Sequence, residues 1–391
     1  MSKTINFLLI ILAFSVIVIP NSFQVLTIIV LTIITILIYI RNKRLYDVTT
    51  VIFWLVLSVI FLLYILMSAI SFDDKMEVIF KYIISPFYWI SVFSYIRKEF
   101  SNDYIIQTLI LFGFLANLSV LILYILMSMG YVSFISIFIS NPNIDQITGL
   151  GFTLHVYGSL IFFALSIIPS LFYIKKKSFK IIYVFSFIIA AVLSGRTALV
   201  LFVVLGLSVT IFYLKNFNFK PINIFVTTFL IIALGNYSYV QYKQNFDTDI
   251  VDYLTGTHLQ KIKDSGGDER SIQTAQIYAQ IIEYPFGSGF VTLNIIRNEL
   301  KTYNYEVLIL AVLMRFGILT FFLIILSLSN SFINLFEKRL YKKEFRDFFI
   351  LGFLAIIISS FTNPYLESFF FQWMYFAPLI LLKKQFKYRP I

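Results

Sequence analysis

The chain has 391 residues, 59% hydrophobic and 13% charged, where a soluble domain is nearer half apolar and a quarter charged. Apolar runs of helix-spanning length recur from end to end and are solid, not alternating. This excludes a soluble globular domain and a membrane barrel, and it predicts an all-α polytopic membrane protein. Cysteine is absent, which excludes disulfides, thiol nucleophiles and cysteine metal sites.

The first twenty residues, MSKTINFLLIILAFSVIVIP, have the charge and apolar core of a signal peptide. They lack a small-residue cleavage site and run directly into another apolar segment, so they read as a retained first helix. Spans are predicted at 5–20, 23–40, 49–71, 78–96, 104–129, 152–174, 181–194, 197–214, 222–239, 304–333, 347–361 and 366–382. Together they give about twelve transmembrane helices in a single integral membrane domain, 1–391. With the N-terminus inside, the inner segments include RNKRLYD (41–47), KKKSFK (175–180), EKRLYKKEFRD (337–347) and the C-terminal KKQFKYRPI. The inner segments hold 21 of the 31 lysines and arginines. Basic residues concentrated on inner loops orient a chain with both termini in the cytoplasm. That bias accounts for the net charge of +11 and leaves no separate footprint for nucleic acid.

From Ile181 to Leu214, 34 residues carry one side chain that is charged at neutral pH, Arg196. A single helix of that length would be ~51 Å, against a hydrocarbon core of about 30 Å. Two short spans joined at Ser194-Gly195 fit better and put Arg196 at the outer end of a hairpin. It is read either as an interfacial anchor or as part of a cationic site. The one large hydrophilic insertion, 240–303, forms an external loop. Within it, Ile272, Ala275, Tyr278, Ala279 and Ile282 share one helix face. This amphipathic helix is expected on the outer membrane surface or over a cavity.

Lys81 and Arg315 fall at outer span ends, and Arg270, Arg297 and Lys301 in the external loop. Cations gathered there suit an anionic lipid headgroup such as a pyrophosphate, since guanidinium presents a fixed fork of donors to phosphate oxygens. Glu306 is a candidate general base or a carboxylate at a helix N-terminus. His155 is an intramembrane histidine read as substrate-binding or as packing. Glu367 in the last outer turn either contacts substrate or keeps that turn hydrated. The GSG at 287–289 lacks the βαβ context of a dinucleotide fingerprint and is read as a tight return toward the membrane.

Several of these segments resemble, in order, the O-antigen polymerase and O-antigen ligase superfamily of bacterial polysaccharide enzymes. LSGRTALVLF is similar to that family's arginine-bearing hairpin. Arg270 opens a helix that leads into EYPFGSGF, matching the family's Pro-x-x-Gly-x-Gly turn at Pro285, Gly287 and Gly289. KTYNYEVLILAVLMRFGILTFFL resembles its His-Asn, apolar helix and Glu-x-Gly sequence, with Asn304 and Gly317 in agreement. Two positions depart: Tyr303 stands where the family has histidine, and Arg315 where it has an acidic residue. The resemblance covers roughly 185–330.

The resemblance implies a membrane glycosyltransferase of the GT-C type on the outer face of the bacterial cytoplasmic membrane. The donor would be a glycan on undecaprenyl pyrophosphate. The acceptor would be a second lipid-linked repeat unit for a polymerase, or lipid A-core for a ligase. A lipid-linked oligosaccharide flippase is the alternative from another class. In this reading Arg196 and Arg270 stabilise the departing pyrophosphate, and Glu306 takes the acceptor proton. Arg315, Lys81, His155, Tyr303, Asn304 and Arg297 bind substrate. No cofactor or metal is expected, because pyrophosphate is a good leaving group once its charge is neutralised. Expected partners are the two lipid-linked glycans, membrane lipid and a chain-length regulator.

Overall fold

The computed structural model describes residues 1–20, 23–41, 48–68, 70–128, 144–147, 151–154, 158–193, 197–209, 266–291, 305, 307–335, 342–360 and 367–382. Among them the chain is mostly helical, with one short hairpin and irregular turns that include 284–291 and 367–372. The helices are α1 (Ser2–Ala13), α2 (Gln24–Arg41), α3 (Val48–Met67), α4 (Phe72–Ile79), α5 (Ser85–Glu99) and α6 (Asn102–Ser128). Then come β1 (Ile144–Ile147) and β2 (Gly151–Leu154), followed by α7 (Gly158–Leu165), α8 (Ile167–Leu171), α9 (Lys177–Leu193) and α10 (Thr197–Ser208). The last four are α11 (Gly266–Glu283), α12 (Leu308–Leu335), α13 (Lys343–Ser359) and α14 (Trp373–Leu381).

Four helical stretches are long and apolar enough to cross a membrane: Gln24–Arg41, Phe72–Glu99, Asn102–Leu123 and Leu308–Ile325. Shorter apolar helices cover Ser2–Val18, Val51–Met67 and Leu199–Ser208. The expected span 222–239 lies outside the described residues. The expected span 152–174 is corrected at both ends. Its first residues pair antiparallel with β1, Ile144 opposite Leu154. The rest is two short helices that break at Ser166. Pro169 has no N–H to donate to Leu165, so a continuous helix would lose a bond there. The final expected span is also short, because 367–372 forms compact turns before α14 begins.

Local sequence explains the other helix ends. Ser71 caps α4 by accepting the Asp74 N–H at 3.2 Å, and Asp73 and Asp74 sit in the first turn, where the helix dipole favours them. Lys75 donates to the Leu66 carbonyl at the end of α3 at 3.2 Å. Two helices widen into π turns, Phe14–Val18 after α1 and Phe80–Ile84 between α4 and α5. The carbonyls exposed by the first are met by serines from other helices, Ser159 on Ile17 and Ser119 on Val18, each at 3.0 Å. In an apolar medium such replacement is obligatory.

The large core joins α1, α2, α5, α6, α7 to α10, α13 and α14 around Trp89, Phe162, Phe163, Phe349 and Trp373. Two smaller clusters stand beside it. One packs α3 and the second π turn against Phe290 and Phe316, and the other packs α11 on the start of α12. The site described below lies where these clusters meet the turns before α14.

Segments assigned by the charge pattern to one side do meet at one end of the bundle. Arg41 bonds Glu99 at 3.0 Å and the Tyr95 hydroxyl at 2.7 Å. That hydroxyl lies 3.4 Å from the Asn6 side-chain oxygen. Lys342 reaches both carboxylate oxygens of Asp103 at 3.1 Å. The Lys342–Asp103 pair is more than half exposed, and such pairs contribute about 0–1 kcal/mol. Arg41 serves a more covered tyrosine and carboxylate together. Arg41→Ala should therefore lower the thermal midpoint of the purified protein clearly more than Lys342→Ala. Equal shifts would show that the end is not held by the Arg41 node.

Candidate functional site

At Gly317, α12 leaves helical geometry, with φ 75° and ψ 170°. An L side chain rarely adopts that conformation, and a Cβ there would collide with the Phe286 carbonyl. In an unbroken helix the Ile318 N–H would donate to the Met314 carbonyl. Here the turn Pro285–Phe290 is inserted into that bond. Ile318 N–H donates to the Pro285 carbonyl at 3.0 Å, while the Met314 carbonyl accepts from Ser288 N–H at 2.9 Å. The Arg315 carbonyl accepts from Gly289 N–H at 3.0 Å. Three backbone bonds between separate segments replace those lost at the break. Each polar group left unmet in an apolar medium would cost several kcal/mol.

Glycine is required on both sides of this junction. Gly287 has φ 103°, and a Cβ on it would lie 2.7 Å from the Arg315 carbonyl oxygen. The turn is also held from α3. The Tyr64 hydroxyl donates to the Phe286 carbonyl, and the Ser68 hydroxyl oxygen accepts the Phe290 N–H at 2.7 Å. The PFGSG and RFG segments are thus two halves of one device, a re-entrant turn docked on a broken helix.

The break aims Arg315 into the protein, where it is fully buried. Its guanidinium pairs with the Glu367 carboxylate and donates to the Tyr82 hydroxyl at 3.0 Å. Tyr82 in turn donates to Glu367 at 2.6 Å. The guanidinium carbon lies 4.7 Å from the centre of the Phe290 ring and 5.5 Å from that of Tyr305, within cation–π range. Tyr82 comes from the second π turn, and such bulges recur at functional sites. Phe61, Tyr64, Tyr82, Phe290 and Phe316 close an aromatic wall around the cluster. Glu367 is delivered by turns anchored through Gln372, which accepts from Ser85 at 2.6 Å and donates to the Lys81 carbonyl at 2.8 Å.

The expected site residues fare unequally. Arg315 enters this cluster, yet its charge is already met by Glu367, so a phosphate reaching it would compete with that carboxylate. Lys81 lies next to Tyr82 in the π turn, and its ammonium is 2.6 Å from Glu77. Arg196, His155, Arg297, Tyr303, Asn304 and Glu306 lie outside the described residues. The backbone of Arg270 is in the first turns of α11, while its side chain lies outside them. Tyr82 was not singled out from sequence. It is one of 25 tyrosines, and only its position opposite an intramembrane arginine marks it.

The helix α11 packs along the beginning of α12, Ile277 touching the group of Tyr305, Ala311 and Met314. The apolar face read from sequence is the outward one: Ile272, Tyr278 and Ile282 are exposed, and Gln273 and Ile277 are buried. Its amphipathicity is real, but the apolar side faces away from the protein.

The described residues thus define an all-α protein with helices suited to a membrane, organised around a docked re-entrant turn. Comparison with known proteins found no matching family model, no similar curated protein and no similar solved structure.

Breaking the buried pair from one side leaves an uncompensated charge, which costs about 3–5 kcal/mol, whereas an apolar pair of similar volume is often neutral. Glu367→Leu and Arg315→Met should each sharply lower the thermal midpoint, and the double variant should recover most of the loss. A double variant as unstable as the sum of the singles would contradict a simple ion pair. Gly317→Ala should disrupt the junction whatever happens at Glu367, read as loss of monodisperse protein on size exclusion.

Proposed function

We propose that the protein is a membrane glycosyltransferase that polymerises undecaprenyl-pyrophosphate-linked oligosaccharide repeat units, of O-antigen or of a capsular or exopolysaccharide. In this reading it is a GT-C-type enzyme of about twelve spans in the bacterial cytoplasmic membrane. Both termini are cytoplasmic and the site faces outward. The observation that carries the proposal is the docking of Pro285–Phe290 on the Gly317 break. Two of the sequence segments that resemble the O-antigen polymerase and ligase superfamily, about thirty residues apart in the chain, are one physical unit beside a buried polar cluster.

The chemistry needs cations where pyrophosphate departs and a group to take the acceptor proton. When the acceptor oxygen bonds the anomeric carbon, the bond to the pyrophosphate oxygen breaks and the diphosphate gains negative charge. Arg196 and Arg270 are assigned to that charge, because guanidinium donors fixed in advance stabilise it without reorganisation. Glu306 is assigned the proton. Arg315, held by Glu367, keeps the turn that follows α11 in place, and so fixes the base of the helix that carries Arg270. A ligase, passing the glycan to lipid A-core, would use the same chemistry with another acceptor.

The broken α12 favours a second reading. Discontinuous helices that carry polar groups at membrane depth are a feature of transporters, so a lipid-linked oligosaccharide flippase shares this observation. The two diverge on bond formation. Purified protein given its own lipid-linked repeat unit should lengthen the glycan, seen as a ladder on a gel. Arg196→Ala and Arg270→Ala should each lower the rate at least a hundredfold at normal expression, and Arg→Lys should rescue poorly. Movement of the intact lipid-linked unit across a vesicle with no new glycosidic bond would overturn the polymerase and support the flippase.

A further inference from the structure

The inward face of α11 carries Gln273, Gln276 and Gln280 within an arc of about 60°, at 100° per residue. Gln273 is buried and the other two are partly covered, while the opposite face exposes Tyr278 and Ile282. Against water this helix would be inside out. Beside the start of an apolar span, Tyr278 and Ile282 suit contact with lipid, while Gln276 and Gln280 lie beside the contact of Ile277 with α12. Carboxamides in such a place have two ordinary uses. They hydrogen-bond neighbouring helices, or they meet a ligand. The Gln276 side-chain oxygen is buried and has no hydrogen-bond partner among the described residues, so this group is not serving as interhelical glue there.

We propose that this face of α11 is a binding wall for an uncharged, polyhydroxylated ligand, with Gln276 and Gln280 as its contact residues. A carboxamide offers a donor pair and an acceptor to each hydroxyl. It carries no charge, so its desolvation costs less than that of a carboxylate or ammonium. The wall stands on the same re-entrant unit as Arg315, since α11 leads directly into Pro285–Phe290 and Tyr305 touches both groups. The identification of the polyol as glycan rests on the function proposed above, with these amides recognising sugar hydroxyls and the arginines recognising the diphosphate. The orientation of the helix does not depend on it.

The absence of cysteine allows a direct test in lipid nanodiscs. Single variants Gln276→Cys, Gln280→Cys, Tyr278→Cys and Ile282→Cys are reacted with a charged, membrane-impermeant thiol reagent. The first two should react at least tenfold faster. Their reaction should slow with lipid-linked oligosaccharide extracted from the source cells, and not with sugar-free undecaprenyl pyrophosphate. Faster reaction on the Tyr278 face, or equal protection by the sugar-free lipid, would overturn the wall. In the chain-extension assay, Gln276→Leu should raise KM at least tenfold with kcat changed less, while Ile282→Leu leaves both unchanged. An active enzyme with unaltered KM in Gln276→Leu would overturn the wall and leave the polymerase standing. Sugar-dependent protection without any glycan extension would uphold the wall and remove the polymerase.

Discussion

The hydrogen bond that α12 does not make, between Ile318 N–H and the Met314 carbonyl, is the constraint on which the site depends. Inside an apolar medium those two groups cannot be left to solvent. The Pro285–Phe290 turn satisfies them by lying in the gap. The exchange fixes three things together. It sets the depth reached by the turn, it sets the angle at which α11 meets the bundle, and it points Arg315 inward.

An arginine buried by such a break needs an anion, and the chain supplies Glu367 from turns over fifty residues later. Those turns are themselves tied to the π turn of Phe80–Ile84 through Gln372 and Lys81. Tyr82, from the same π turn, completes the cluster by bonding both charged partners. Two helix irregularities and one irregular segment therefore support one another. Regular helices carry the bulk of the hydrophobic burial, and the polar chemistry sits where regularity is given up. This division suits a protein that must be stable in lipid and still hold a charged group at depth.

Much of the architecture was legible as hydropathy. The solid apolar runs place α2, α6 and α12 within a few residues, because a helix facing lipid has little freedom in composition. Basic loops at 41–47, 97–103 and 337–347 were grouped on one side by charge alone, and Arg41–Glu99 and Lys342–Asp103 bring these regions together. The expected span 152–174 is not one helix, since Pro169 and the strand pairing of Gly151–Leu154 leave little trace in an apolar composition. For α11 the periodicity and the apolar face are readable in the sequence, whereas the packing of Ile277 on the start of α12 is a contact between separate segments and leaves no local pattern. The glycines of PFGSG and RFG were visible as turn signals, but their mutual docking is a contact between segments about thirty residues apart. Arg315 was recognisable as an unusual charge, and its partner Glu367 could be named only once the turns before α14 were placed.

The docked turn can be tested without reference to any substrate. Phe286 and Ile318 are both exposed and lie on adjoining backbone across the junction. In this cysteine-free chain, the double variant Phe286→Cys with Ile318→Cys should form an intramolecular disulfide rapidly in native membranes under mild oxidation. Phe286→Cys with Phe172→Cys, also exposed, should not. Failure of the first pair to cross-link, in protein that is otherwise folded, would contradict the re-entrant junction and the site built on it.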